Sequence, residues 1–313
     1  MSKILILLKH LRNSFHIAKI LSKNNLSEFI RIFIVRFLYS IDFIRNSQKT
    51  IFSNSSVENS DLFKSKLNLK ETLEHLEETG FYDKAEINEN TLNLLNCEVN
   101  STNFSSKIKL DETKNFDDLV FKNLEEISNY SQKENIKHLV LEYKKNQKEN
   151  IFKKLAKSSY LRDIAKHYLN TEKIYCNLEI FITNPHSFTE SEKKKYAQYF
   201  HYDCDYKKFF KVFIYLNDVS NESGPHIFLK HSHKRKLFSH IISDRLSDET
   251  IKQNYNQENI IKFTKQKGSV IIEDTFGLHK GETPSKKQRL MLIIEFGNSK
   301  PIYLNQDRYF FQI

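Results

Sequence analysis

The sequence predicts an α+β protein with a helical front and an antiparallel, β-rich back closed as a sandwich or barrel. Two observations carry this. The first 184 residues hold one glycine (Gly80) and no proline, whereas the last 129 hold five glycines and all four prolines. Tight turns between strands use such residues, and helix interiors exclude them. From Ile174 onward the apolar residues also recur with a period of about two, which puts successive side chains on opposite faces of a strand.

Taken in order, residues 1–46 alternate apolar clusters with single bases ("KILILLKHLRNSF", "EFIRIFIVRFLYSIDFI") and read as a basic amphipathic helical segment. Residues 47–61 are polar and turn-rich, a linker. The remaining domain, 62–313, divides into a helix-rich part (62–173) and a strand-rich part (174–297). Leu69, Leu73 and Leu76 have helical spacing, and Gly80 stands where a C-terminal cap belongs. "FDDLVFKNLEEISNYSQ" and "NIFKKLAKSSYLRDIAKHYL" are further amphipathic helices. The predicted strands are "IYCNLEIFIT", "AQYFHYD", "FFKVFIYL", "PHIFL", "SVIIED" and "LMLIIEF".

Composition narrows the function classes. The net charge is +10, but residues 1–50 hold nine Lys/Arg against two Asp/Glu and so carry +7 of it. The body is near neutral, which argues against a nucleic-acid groove in the core fold. Three cysteines without framework spacing read as reduced thiols of a cytoplasmic protein. No stretch has the length of a transmembrane span or the form of a signal peptide. Charge interleaved with Ile, Leu and Phe fits residues 1–46 to peripheral contact with an anionic membrane. The same apolar faces would also suit packing on the domain or a dimer contact.

The chemistry is carried by two stretches. In "HYDCDYKKFFKVFIYLNDV" His201 and Asp203 share one face of a strand, although a half-buried strand wants apolar groups there. In "GSVIIEDTFGLHKGETPSKKQRLMLIIEF" His279 follows a strand, and Arg289 opens another. On that last strand Arg289, Met291, Ile293 and Glu295 share one face, and Leu290, Leu292, Ile294 and Phe296 the other. Two imidazoles and a carboxylate are the ingredients of a facial triad, which leaves open positions on an octahedral ion and suits Fe(II) oxygenases. An arginine opening so apolar a strand invites a carboxylate, because its guanidinium binds one bidentately.

Over about 174–297 these stretches, with "NESGPHIFLKHSH" between them, resemble the phytanoyl-CoA dioxygenase family of Fe(II)- and 2-oxoglutarate-dependent oxygenases. Residues 72–97 are similar to the family's opening helix and first strand. The resemblance implies a double-stranded β-helix (jelly-roll, cupin-like) core flanked by helices from the N-terminal half. It implies that His201, Asp203 and His279 bind Fe(II), and that Arg289 binds 2-oxoglutarate. O2 would be the second co-substrate, and the reaction hydroxylation of a small-molecule or lipid-like substrate. A carboxylate at Asp203 favours hydroxylation over halogenation. Gln198 and Lys211 are added as candidate 2-oxoglutarate residues. His231 departs from the pattern: it stands where the family usually has glycine, which bears on the geometry of that loop.

Other readings stay beside this one. His201 and Asp203 would also serve as a hydrogen-bonded pair at a strand end, and Arg289 as a surface ion-pair residue. His231 and His233, with His226 nearby, form a competing ligand set. Cys204 has the opposite strand parity and reads as a packed small hydrophobe. A metal enzyme of this fold that does not use 2-oxoglutarate has no need of Arg289. A non-catalytic, membrane-associated module has no need of the triad.

Overall fold

The computed structural model describes residues 61–299 and 309–313, except 65–66, 109–114, 146–147, 207, 242 and 244. The amphipathic segment 1–46 and all of the linker but Asp61 lie outside the described residues.

The chain is rich in asparagine, and the front helices use it. Helices α1 (Leu69–Glu78), α2 (Glu89–Glu98), α3 (Leu124–Lys133) and α4 (Ile151–Ala156) each begin after an asparagine. The side chains of Asn68, Asn88, Asn123 and Asn150 accept backbone N–H groups of the first turns, which otherwise lack partners. Helix α1 buries Leu69, Leu73 and Leu76 and ends before Gly80, as its spacing predicts. Gly80 has φ +93°, and a Cβ there would stand 2.7 Å from His233 Nδ1 and 2.8 Å from the Phe228 ring. Only glycine satisfies both demands.

The other two predicted helices are broken. Residues 116–118 form a single 3-10 turn, and α3 begins only after Asn123. Residues 150–169 make two helices, because Ser158 is extended (ψ 144°) between α4 and α5 (Ser159–Leu169).

Two antiparallel sheets face each other. The larger has the order β1 (Phe81–Glu86), β8 (Ser269–Glu273), β5 (Phe209–Tyr215), β10 (Arg289–Gly297), β4 (Tyr175–Thr183), β3 (His138–Tyr143) and β2 (Phe104–Ser105); β11 (Phe311–Gln312) also pairs with β4. The smaller has the order β7 (Ile260–Phe263), β6 (His226–Leu229) and β9 (His279–Gly281). This is the jelly-roll arrangement, with helices on one side. The front part is therefore not all helix: β1, β2 and β3 complete the larger sheet.

Alternation on β10 divides the core in two. Leu290, Leu292, Ile294 and Phe296 pack outward with Leu178, Ile180 and Ile182 of β4 against α1 and α5. Met291 and Ile293 point between the sheets, toward Phe213, Tyr215, Ile271 and Phe228. Arg289 and Glu295 end that inner row, and all nine residues of β10 are buried.

The expected strand "AQYFHYD" does not form. Ala197 is left-handed (φ 56°), and only isolated bridges from Phe200 to Leu246 and from His201 to His279 remain.

Candidate metal centre

His201 and His279 meet through their backbones. The N–H of His201 donates to the His279 carbonyl at 3.0 Å, and the N–H of His279 donates back at 2.8 Å. This antiparallel bridge sets the two rings 4.3 Å apart between centroids. Each ring is aimed by its far nitrogen: Nδ1 of His201 lies 2.9 Å from the Tyr199 carbonyl, and Nδ1 of His279 lies 2.9 Å from the Gly277 carbonyl. A carbonyl only accepts, so Nδ1 carries the proton and Nε2 keeps its lone pair.

Asp203 lies in the extended loop after the bridge, fixed by its N–H to the Thr275 carbonyl at 2.9 Å. Its Oδ1 is 3.9 Å from His201 Nε2, and its Oδ2 is 3.5 Å from His279 Nε2. The three ligand atoms lie within 4.8 Å of one another, the only such group among the described residues. Donors on one ion at about 2 Å stand roughly 3–4 Å apart, so the spacing fits a single metal.

Burial pushes both histidines below their ordinary pKa, which keeps them neutral and able to ligate. Burial would raise the Asp203 carboxyl, but Lys211, His279 and His201 overcome it and hold it below the usual carboxylate range. Lys211 faces the site and not solvent. Its Nζ lies 2.9 Å from Asp203, 3.3 Å from Asp205 and 3.2 Å from Glu295.

Arg289 is 4% exposed, and its guanidinium has no carboxylate partner among the described residues. One Nη donates to the Glu282 carbonyl at 3.3 Å, and Nε has no hydrogen-bond partner. Gln198 is close in the chain to Ala197, whose carbonyl accepts the N–H of Gly281 beside Arg289. Its Oε1 accepts from Thr283 Oγ1 at 2.5 Å, while its Nε2 is buried and unpartnered. Two orphaned donors at such a site fit an anionic ligand.

His231 and His233 turn away from this centre. His231 keeps the left-handed conformation of the loop (φ 64°), with Nδ1 2.8 Å from the Glu78 carbonyl. His233 Nε2 reaches the Glu77 carbonyl at 3.1 Å. Both engage the carbonyl end of α1, which leaves such groups unsatisfied. Cys204 is buried among Phe200, Tyr202 and Tyr206.

The family model described as phytanoyl-CoA dioxygenase (PhyH) matches residues 111–290, more than half of the chain. The chain belongs to that family. Its membership and its His-Asp-His cluster make it an oxygenase-type enzyme of the iron- and 2-oxoglutarate-dependent class. The match begins in the front part, upstream of the stretch in which the motifs lie. No curated protein sequence matches the chain.

Among solved structures, AviO1 from Streptomyces viridochromogenes Tue57 is similar at 10% identity, covering 77% of this chain and 99% of that one, with a TM-score of 0.46. HygX from Streptomyces hygroscopicus, crystallised with nickel, 2-oxoglutarate and hygromycin B, is similar at 12% identity over 73% and 86%, with a TM-score of 0.44. EvdO2 from Micromonospora carbonacea var. aurantiaca, complexed with 2-oxoglutarate, is similar at 12% identity over 77% and 94%, with a TM-score of 0.46.

Sequence reasoning passed over Glu273, which borders the triad with Oε1 3.9 Å from His279 Nδ1. A signal was present: Ser269, Ile271 and Glu273 share a face of β8, and Ile271 points between the sheets.

Proposed function

We propose that this member of the phytanoyl-CoA dioxygenase family is a hydroxylase acting on a small-molecule or lipid-like substrate. The observation that carries the reading is Arg289, a buried guanidinium without a protein carboxylate, on the same inner face as the His-Asp-His cluster. A buried cation needs a counter-charge, and a dicarboxylate reaching from the metal supplies one.

In this reading His201, Asp203 and His279 hold Fe(II). When bound, iron and 2-oxoglutarate supply oxygen activation coupled to decarboxylation of the keto acid to succinate. Arg289 orients the far carboxylate through its fork, and the free Gln198 amide adds a donor. Lys211 is a positioning residue: held between Asp205 and Glu295, it fixes one oxygen of Asp203 and neutralises a wall of carboxylates. The carboxylate of Asp203 keeps a ligand position that a halide would otherwise need, which favours hydroxylation.

The test is 2-oxoglutarate binding to Mn(II)-loaded protein, followed by succinate formation by the Fe(II)-loaded protein against a panel of small molecules. Substrate-dependent succinate with a product heavier by one oxygen supports hydroxylation. Metal binding without any 2-oxoglutarate binding sinks the reading in favour of a metal enzyme that does not use it.

A further inference from the structure

Between the triad and Arg289 lies a buried pair that the reading above leaves without a role. His226 Nε2 is 2.9 Å from Glu273 Oε2, and the two residues are 3% and 0% exposed. The ring of His226 is held in place. Its centroid is 4.5 Å from that of Phe213, and its backbone N–H donates to the Tyr215 hydroxyl at 3.1 Å.

Its location follows from register. In the smaller sheet His226 stands opposite Gly281, and Phe228 stands opposite His279. Parity therefore puts the side chains of His226 and His279 on one face, and their ring centroids are 5.6 Å apart. Directly opposed residues of an antiparallel pair have Cβ positions about 4.5–5.5 Å apart. At Gly281 that position is taken: a Cβ there would be 2.6 Å from an Nη of Arg289. The imidazole of His226 and the guanidinium of Arg289 are thus neighbours, and the order across this face is His279, His226, Arg289. A dicarboxylate stretched from the metal ligands to Arg289 passes His226.

One ring nitrogen is available to meet it. Nε2 is taken by Glu273, whereas Nδ1 has no hydrogen-bond partner among the described residues. Burial pushes His226 down to about 3 and Glu273 up to about 8, so both are neutral near pH 7. The hydrogen bond then runs from the Glu273 hydroxyl to Nε2, and Nδ1 carries the proton.

We propose that His226, held in one tautomer by Glu273, is a second donor to the far carboxylate of 2-oxoglutarate beside Arg289. This rests on the co-substrate reading above. Glu273 does not touch the ligand; it is a positioning residue.

The experiment is calorimetry on the full-length, Mn(II)-loaded protein with two keto acids. One is 2-oxoglutarate; the other is 2-oxobutyrate, which keeps the metal-chelating end and lacks the far carboxylate. For His226→Leu, 2-oxoglutarate affinity is expected to fall on the order of tenfold, the worth of one hydrogen bond to a charged group, with 2-oxobutyrate affinity unchanged. Unchanged 2-oxoglutarate affinity, or equal losses for both ligands, overturns the proposal. If His226→Leu lacks a cooperative melt, His226→Phe fills the same ring volume and carries the same comparison. Glu273→Gln keeps a donor toward Nε2 and is expected to retain 2-oxoglutarate affinity, while Glu273→Leu loses it; loss in the Gln variant overturns the part given to Glu273. Failure of the wild-type protein to bind 2-oxoglutarate, with metal bound, overturns the co-substrate reading itself.

Discussion

Each histidine of the triad is aimed by a hydrogen bond from its far nitrogen to a backbone carbonyl, from His201 to Tyr199 and from His279 to Gly277. The aim therefore depends on local backbone and survives replacement of either partner ring. Alanine at His201, Asp203 or His279 is expected to abolish stoichiometric Mn(II) or Co(II) binding while the melting transition persists. The double variant His231→Ala/His233→Ala is expected to bind metal as wild type does, because both rings face the end of α1. Metal loss in that double variant but not in His279→Ala would move the site. Arg289 is a different kind of residue, a buried charge kept for a ligand. Arg289→Ala is expected to cost about 2–5 kcal/mol of 2-oxoglutarate binding with metal affinity unchanged. Arg289→Lys recovers only part, since a point charge lacks the fork. Equal 2-oxoglutarate titrations for wild type and Arg289→Ala would remove Arg289 from the site.

At the scale of the element, two features join the front helices to the strands that carry the site. The end of α1 is one. Gly80 closes it in a left-handed turn against Phe228 and His233. Across the contact His231 accepts a left-handed φ and recovers hydrogen bonds to Glu78 and Thr79. Gly80→Ala meets both the backbone penalty of roughly 1–2 kcal/mol and the Phe228 ring. A lowered melting temperature is expected, and an unchanged one would refute this account of the turn. The start of β3 is the other. His138 stands opposite Thr183, 3.0 Å from its hydroxyl, with its ring against Phe181 and Tyr196. Burial, with the Arg289 charge added, pushes His138 from 6.5 down to about 3. The unfolded chain takes up this proton first as pH falls. The stability tied to a neutral His138 is thus complete above about 6.5 and is lost progressively toward pH 3. His138→Gln is expected to flatten the fall of melting temperature between pH 7 and 4. Parallel profiles for variant and wild type would assign the acid sensitivity elsewhere.

At the scale of the whole molecule, the charge is divided between a basic N-terminal segment and a near-neutral body. Residues 1–50 carry +7 of the net +10. Among the described residues no helix is long and apolar enough to cross a membrane. For residues 1–46 the proposal is peripheral binding, in which each base near an anionic surface contributes roughly 1 kcal/mol. Full-length protein is expected to sediment with anionic vesicles at low salt and to leave them at high salt, and a 47–313 chain is expected to stay folded and off the vesicles. An unfolded or aggregating 47–313 chain would show instead that these apolar faces pack on the domain.

The sequence by itself determined those features whose signals are local. Period-two patterning gave the strands from Ile174, and the alternation on β10 divided Leu292 and Ile294 from Met291 and Ile293 as observed. The motifs picked out His201, Asp203 and His279, which the fold brings within 4.8 Å of one another. Only the tertiary structure decided which strands are neighbours. Alternation assigns a face to a residue but not a partner, because every strand of like pattern could pair with every other. The order β8-β5-β10 sets Lys211 between Glu273 and Glu295, and the β6-β9 register sets His226 beside Arg289. It is likewise pairing that recruits β1 and β3 from the helical front, where their short runs are ambiguous between strand and helix. Asp203 reaches the metal site from a loop whose own pattern reads as strand. The bridge between His201 and His279 supplies the geometry there, and that contact joins residues far apart in the chain.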